Sequence, residues 1–201
     1  MMTGRHPFYF LRHGQTDWNV ECRCMGSIDI PLNDTGRKQA QDAREYTKKL
    51  PLVAIFTSPL SRAHETACMA AVDHAVKPVI LPELQERCWG TFEGQIPDPK
   101  KMRRRRSVDG TEDISEGAES YEHFFARVSA GLRIAFAAGG PSLLVSHSGV
   151  LDAICHALRI PTPDAPNAAL FQFECLNGLW RVFNLNESPS QPQHAQNRHM
   201  I

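Results

Sequence analysis

Two arginines and two histidines lie where a folded chain could bring them together to bind an anion. Arg12 and His13 follow the apolar run 8–11, Arg62 comes shortly after a second apolar run, and His147 follows a third. Each run has the length and composition of a buried β-strand. In an open α/β sheet, functional residues lie just beyond the carboxyl ends of the strands. We therefore expect the four side chains to meet at one sheet edge, where a neutral histidine could act as a nucleophile.

The segments that would position these residues alternate between short apolar runs and amphipathic helices. Strands are predicted at 8–11, 52–57, 78–81 and 143–145. Helices are predicted after Asn33, after Ser58-Pro59, after Ser120 and at about 150–158. A hairpin is predicted at 170–175 and 179–185, around Asn177-Gly178. Such alternation predicts an α/β fold with three layers, in which helices cover both faces of a mostly parallel central sheet.

Local signals place one of the arginines at the start of a helix. Ser58 is a residue type that caps helices, and Pro59 suits the first helical position. Arg62 would then lie in the first turn, where free backbone N–H groups already favour an anion. Residues 15–32 show little periodicity and are interpreted as a long loop beside the candidate site.

The composition excludes several classes of partner. The chain has 201 residues, 42% of them hydrophobic, and 22 basic residues balance 22 acidic ones. A net charge of zero gives no general attraction to nucleic acid or to an anionic membrane. No apolar run approaches the roughly 18 residues that span a bilayer, and residues 1–6 lack the apolar core of a secretory signal. We expect a cytoplasmic protein whose six scattered cysteines are free thiols, with neither metal-ligand spacing nor a required cofactor.

The same composition suggests how the chain is divided. Residues 1–186 are predicted to form a single domain. Residues 95–117 are rich in both basic and acidic side chains and nearly free of apolar ones, which indicates a surface excursion or lid. Residues 187–201 are polar and proline-containing and are predicted to be a disordered tail. The oligomeric state stays open, a homodimer being one option.

Five groups of residues, taken together and in order, resemble a known family. They are 11–16 with Trp18, Asn19 and Arg23, then 57–63 with Thr66, then Glu86-Arg87 with Gly90 and Glu93-Gly94, then 117–120, and last 145–150. This ordered set resembles the histidine phosphatase superfamily, also called the phosphoglycerate mutase-like family, and implies its fold. One departure is Ser148, which stands where many members have glycine. Its backbone N–H can still donate to a phosphate.

The resemblance implies a role for each matching residue. His13 would be the nucleophile that takes the phosphoryl group, and Glu86 would be the proton donor. The phosphoryl oxygens would be held by Arg12, Arg62 and His147, with substrate contacts from Asn19, Arg23 and Ser148. No metal is needed in this scheme, because the arginines supply the positive charge that stabilises phosphoryl transfer. The partner would be a small phosphorylated substrate.

Three activities remain open at this stage. We favour a metal-independent phosphomonoesterase that forms a phosphohistidine on His13. A phosphoglycerate mutase-type phosphoryl transfer is the alternative, and a non-catalytic phospho-ligand binding or interaction module is the third possibility. The basic run 100–106 could contact a second anionic group of the substrate or could be an ordinary solvated loop. Glu86 could instead pair with Arg87 at the surface.

Overall fold

The predicted strands join in one mixed sheet, described here from a computed structural model that covers residues 6–96 and 115–186. The strands are β1 (Phe8–Arg12), β2 (Ala54–Thr57), β3 (Pro78–Ile80), β4 (Ser142–Ser146), β5 (Leu170–Leu176) and β6 (Leu179–Asn184). Their order is β3-β2-β4-β1-β5-β6. The first four are parallel, whereas β5 and β6 form the predicted hairpin and run antiparallel. The expected mostly parallel sheet is confirmed.

Helices pack on both faces of this sheet. They are α1 (Asp17–Val20), α2 (Asp34–Thr47), α3 (Ser61–Ala70), α4 (Tyr121–Ala137) and α5 (Ser148–Leu158), with 3-10 turns at Pro82–Leu84 and Gly90–Phe92. Because side chains alternate along a strand, Phe8 and Phe10 of β1 lie in the core beside α4 and α5. Tyr9 and Leu11 lie in a second core beside α2 and α3. The three-layer arrangement is therefore confirmed.

Helix boundaries follow the predicted caps in two cases and differ in a third. Asn33 accepts from the Gly36 N–H at 2.9 Å, and Ser120 accepts from the His123 N–H at 3.2 Å. The predicted cap at Ser58 is wrong, because α3 begins at Ser61. The N-terminal end of α3 is capped instead by Asp29, whose carboxylate accepts from the Ser61 N–H at 2.8 Å. A cap supplied from 32 residues away cannot be inferred from local sequence.

The predicted loop 15–32 contains one short helix. Thr16 and Asn19 form a capping box around α1, in which each side chain bonds the backbone N–H of the other residue. The proposed excursion at 95–117 and the tail at 187–201 lie largely or wholly outside the described residues, which end at 96, resume at 115 and end again at 186. Within the described ranges, no helix is long and apolar enough to cross a membrane.

A close backbone contact fixes the loop that leaves β1. Gly14 and Gly36 face each other so tightly that a Cβ on Gly14 would overlap the Gly36 carbonyl. A Cβ on Gly36 would lie 2.7 Å from the Gln15 nitrogen and would overlap the Gln15 carbonyl. The atoms nearest to either added Cβ are backbone atoms, so the overlap cannot be relieved by moving a flexible side chain.

We predict that Gly36→Ala lowers the free energy of unfolding by about 1–3 kcal/mol, because overpacking a rigid contact forces the backbone to shift. Urea denaturation measures the change. The matched control is Thr35→Ala, an exposed substitution in the same helical turn that should alter stability by no more than about 0.5 kcal/mol. Equal stability of the two variants would contradict the prediction.

Candidate active site

Adjacent parallel strands bring the predicted residues to one sheet edge. The register pairs Arg12 of β1 with Ser146 of β4, and pairs Thr57 of β2 with Val145 of β4. His13 and His147 therefore follow neighbouring strand ends, and their ring centroids are 5.1 Å apart. Arg62 lies in the first turn of α3, which follows β2. The predicted convergence of these residues is observed in the structure.

The His13 ring is buried in a defined tautomer. Its Nδ1 lies 2.7 Å from the Gly14 carbonyl oxygen, and because a carbonyl only accepts, Nδ1 carries the proton and Nε2 carries the lone pair. Only 2% of the residue is exposed. Burial lowers the pKa of His13 well below its usual range, and the charges of Arg62 and Arg12 lower it further. The ring is therefore neutral at physiological pH, with a free lone pair on Nε2.

The two arginines are held by backbone carbonyls. Arg62 Nη1 donates to the Ile28 carbonyl and Nη2 to the Gly26 carbonyl, both at 2.8 Å, while Arg12 Nη1 donates to the Ala165 carbonyl. Among residues 6–96 and 115–186, neither guanidinium forms an ion pair with a carboxylate. Both charges are therefore left available to a bound anion.

Three buried polar atoms in this cluster have no hydrogen-bond partner in the described part of the chain. They are Arg12 Nε, Arg62 Nε and His147 Nδ1. Buried polar groups are nearly always satisfied, so such atoms call for an explanation. The two guanidinium nitrogens are donors, and they belong to residues whose charges act on both histidines. An anion with several oxygen atoms, such as a phosphoryl group, would satisfy them.

Glu86 lies close enough to this cluster for its charge to interact with those of Arg12 and Arg62. Its carboxylate accepts from the Arg87 N–H at 2.8 Å and from the Gly149 N–H at 3.1 Å. Burial raises the pKa of Glu86 above its ordinary value, although the two N–H groups and the arginines oppose the shift. The Arg87 side chain turns elsewhere, donating to the Glu119 carbonyl at 2.9 Å and lying 4.5 Å over the Trp89 ring.

The three predicted substrate-binding residues lie in different surroundings. Asn19 Oδ1 accepts from the Thr16 N–H at 3.1 Å, so Nδ2 is the group it can offer to an anion. Ser148 is exposed at the first position of α5, directly after His147. Arg23 contacts Glu21 and donates to the Gly94 carbonyl at 2.8 Å, in a half-exposed position. The described contacts of Arg23 include none with His13, Arg12 or Arg62.

Two residues at the site were not predicted. Asn167 Nδ2 donates to the His13 carbonyl at 3.2 Å, to the Gly14 carbonyl at 3.3 Å and to Asn19 Oδ1 at 3.2 Å. Ser58, which was interpreted as a helix cap, has its Oγ 2.8 Å from His147 Nε2. The sequence near Asn167 carries no signal for its contacts. Ser58 could have been noticed only from its place directly after a strand.

Glu93, one further carboxylate near the site, has a structural role. It accepts from the Ser27 N–H at 2.7 Å and from the Trp89 N–H at 2.9 Å. Ser27 lies between Gly26 and Ile28, whose carbonyls hold Arg62. Glu93 therefore fixes the loop that positions the arginine.

Comparison with known proteins agrees with this geometry. A family model described as the histidine phosphatase superfamily (branch 1) matches residues 8–188. A Bacillus subtilis (strain 168) protein named as the uncharacterized phosphatase PhoE is 32% identical over 185 residues, which are 88% of this chain and 93% of that protein. A probable phosphoglycerate mutase GpmB from Enterobacter sp. (strain 638) is 35% identical over 147 residues, which are 69% of this chain and 68% of that protein.

A solved structure has the same architecture over almost the whole chain. It is the mycobacterial glucosyl-3-phosphoglycerate phosphatase Rv2419c in complex with VO3, which superimposes with a TM-score of 0.77 at 28% sequence identity. The match covers 91% of this chain and 100% of that one.

The buried histidines predict how stability depends on pH. Because the folded-state pKa values of His13 and His147 are depressed, the unfolded chain binds more protons below about pH 6.5. The contribution of the two neutral histidines to the free energy of unfolding is present above that pH. It is lost as the pH falls towards their folded-state pKa values. Each histidine should contribute up to about 1.4 kcal/mol per pH unit to the slope of the free energy of unfolding against pH.

Urea unfolding between about pH 5 and about pH 8 measures this slope. We expect His13→Asn to reduce the slope by one histidine's contribution, and the double variant with His147→Asn to reduce it by two. A slope identical in the wild type and the double variant would show that the folded histidines titrate normally.

Proposed function

Since this chain belongs to the histidine phosphatase superfamily, we propose that it hydrolyses a small phosphorylated metabolite through a phosphohistidine on His13. One observation carries the proposal. Unpartnered buried nitrogens of Arg12, Arg62 and His147 lie in one charge cluster with a neutral histidine whose Nε2 lone pair is free. Cationic donors arranged in advance stabilise the charge that spreads over the equatorial oxygens during phosphoryl transfer.

In the first step, His13 attacks the phosphorus atom of the bound monoester. The Nε2 lone pair forms an N–P bond while the bond from phosphorus to the ester oxygen breaks. The leaving oxygen takes the proton of the Glu86 carboxyl group, which burial helps to keep protonated. Arg12, Arg62 and His147 hold the three phosphoryl oxygens throughout.

In the second step, a water molecule attacks the phosphohistidine. One proton of that water moves to the Glu86 carboxylate, an O–P bond forms, and the N–P bond breaks. His13 regains its lone pair, and inorganic phosphate leaves. The covalent intermediate divides one difficult displacement into two easier ones, and each step returns Glu86 to the protonation state that the next one requires.

The substrate class is proposed from the predicted substrate-binding residues and from the names of the relatives. Asn19, Ser148 and Arg23 would contact the substrate beside the phosphoryl pocket. The Rv2419c protein is named for glucosyl-3-phosphoglycerate and GpmB for phosphoglycerate. Phosphorylated sugars and sugar acids are therefore the first substrates to test.

A mutase activity is the second candidate, favoured by the 35% identity with the probable mutase GpmB. A mutase would share the first step but would return the phosphoryl group to a hydroxyl of the substrate. The binding-module alternative is weaker, since all five residues proposed for catalysis are present: Arg12, His13, Arg62, Glu86 and His147.

The decisive experiment is a panel of phosphomonoesters incubated with the protein in excess chelator. The panel includes 3-phosphoglycerate with a bisphosphoglycerate primer. Release of inorganic phosphate is the expected result, and conversion of 3-phosphoglycerate to its isomer without phosphate release would replace the proposal with mutase activity.

We predict that His13→Ala abolishes turnover while the fold is retained. Alkaline quenching during turnover of labelled substrate should trap an alkali-stable phosphoprotein in the wild type, which loses its label in acid, and none in His13→Ala. Circular dichroism confirms folding. Normal turnover by the folded variant would exclude His13 as the nucleophile.

Glu86→Gln should slow the reaction in a way that depends on the leaving group. With alkyl phosphates, whose alkoxide needs a proton, we expect kcat to fall by about 10²–10⁴-fold. With p-nitrophenyl phosphate, whose phenolate leaves without protonation, the formation of phosphohistidine should fall far less. Rapid-quench kinetics separates this step from hydrolysis, and an equal loss with both substrates would contradict the assignment of Glu86 as the acid.

A further inference from the structure

His147 and His13 leave different ring nitrogens available to a ligand. The His147 ring is fully buried, its Nε2 is bonded to Ser58 Oγ, and its Nδ1 has no described partner. A neutral imidazole carries one N–H. The location of that hydrogen decides whether Nδ1 offers a donor or a lone pair to a phosphoryl oxygen.

The hydroxyl of Ser58 has one described acceptor for its hydrogen. The Leu60 N–H donates to Ser58 Oγ at 3.3 Å, which uses one lone pair of the oxygen. The remaining described contact of Oγ is His147 Nε2 at 2.8 Å. Because Ser58 is fully buried, leaving its hydroxyl hydrogen unbonded would carry an uncompensated desolvation penalty. Ser58 therefore donates to Nε2, which must carry the lone pair.

The position of Ser58 is set by the sheet. Its backbone N–H donates to the Val145 carbonyl at 3.0 Å, which extends the pairing of β2 with β4 by one residue. His147 follows two residues after Val145, so the register of the two strands brings serine and histidine together. Ser58 is thus held by backbone bonds that do not involve its side chain.

We propose that Ser58 is a positioning residue that keeps His147 in the Nδ1–H tautomer, so that the neutral ring donates a hydrogen bond to the phosphoryl group. The proposal rests on the phosphoryl pocket of the proposed function. Both histidines carry their proton on Nδ1 but present opposite groups. His13 uses its N–H on Gly14 and presents a lone pair, whereas His147 uses its lone pair on Ser58 and presents an N–H.

The electrostatics of the site makes this tautomer important. Burial lowers the pKa of His147 well below its ordinary value, with further lowering by the charges of Arg62 and Arg12. A doubly protonated ring, which would donate from either nitrogen, is therefore disfavoured before substrate binds. The opposite neutral tautomer would aim a lone pair at the phosphoryl oxygens and repel them.

The test uses long-range ¹H–¹⁵N NMR of the histidine rings together with kinetics. In the wild type we expect His147 to show a protonated Nδ1 and an unprotonated Nε2. In Ser58→Ala the Nε2–H tautomer should become populated, and kcat/KM should fall about tenfold, the equivalent of one lost hydrogen bond of about 1.4 kcal/mol. Ser58→Thr retains the hydroxyl and should restore both the tautomer and the rate.

Ser142→Ala is the matched control, because Ser142 is a buried serine of the same sheet whose Oγ has no described partner. It should change neither the His147 spectrum nor kcat/KM. An Nε2–H tautomer in the wild type would overturn the proposal without any variant. An unchanged Nδ1–H tautomer with wild-type kcat/KM in folded Ser58→Ala would also overturn it.

The spectrum also separates this proposal from the proposed function, because it needs no turnover. Without hydrolysis of any panel member, the proposed function would fail. In that case an Nδ1–H signal that shifts on addition of inorganic phosphate, and is lost in Ser58→Ala, would still support the role of Ser58. Hydrolysis combined with a phosphate-insensitive Nδ1–H signal would leave the phosphatase intact and contradict the donor role of His147.

Discussion

The site depends on positive charge that is buried without an ion-pair partner among residues 6–96 and 115–186. Removing a guanidinium from water carries a penalty of several kcal/mol unless other groups compensate. Here the compensation comes from carbonyl dipoles, of Gly26 and Ile28 for Arg62 and of Ala165 for Arg12. Carbonyls orient the guanidinium groups but leave their charge in place. Burial, helped by the same charges, lowers the pKa values of His13 and His147 and keeps both rings neutral, so the field that favours an anion also preserves the lone pair of the proposed nucleophile.

Holding arginines by carbonyls requires that the carbonyls themselves be held. Glu93 bonds both Ser27 and Trp89 and so joins the 26–28 turn to the segment that follows Glu86. Asp29 bonds the first N–H of α3, one residue before Arg62. The long loop after β1 is therefore a structural part of the site. Asp29 and Glu93, whose charges act on Arg62, bond backbone N–H groups and form no ion pair with its guanidinium.

The sequence predicted most of the site residues whose positions depend on where the strands end. It predicted few of the contacts that depend on the register between strands. The four predicted residues converge as expected, because each ends or directly follows a strand of the parallel sheet, or lies in the first turn of the helix after one. They are Arg12, His13, Arg62 and His147. Ser58 looked like a helix cap, since its contact with His147 depends on how β2 aligns with β4. Asn167 bonds residues more than 140 positions away, and no local pattern encodes a contact of that range.

In the proposed mechanism, the difference between hydrolysis and transfer to a second hydroxyl does not lie in the buried pocket. Arg12, Arg62, His147 and the His13 lone pair would serve the phosphohistidine in either case, and Glu86 would deprotonate water or a hydroxyl. What differs is the acceptor that reaches the phosphorus atom, which is selected at the mouth of the pocket. Water needs no binding group there, whereas a substrate hydroxyl must be oriented to compete with it. Specificity therefore belongs to the exposed residues around the pocket, and the buried cluster is common to both reactions.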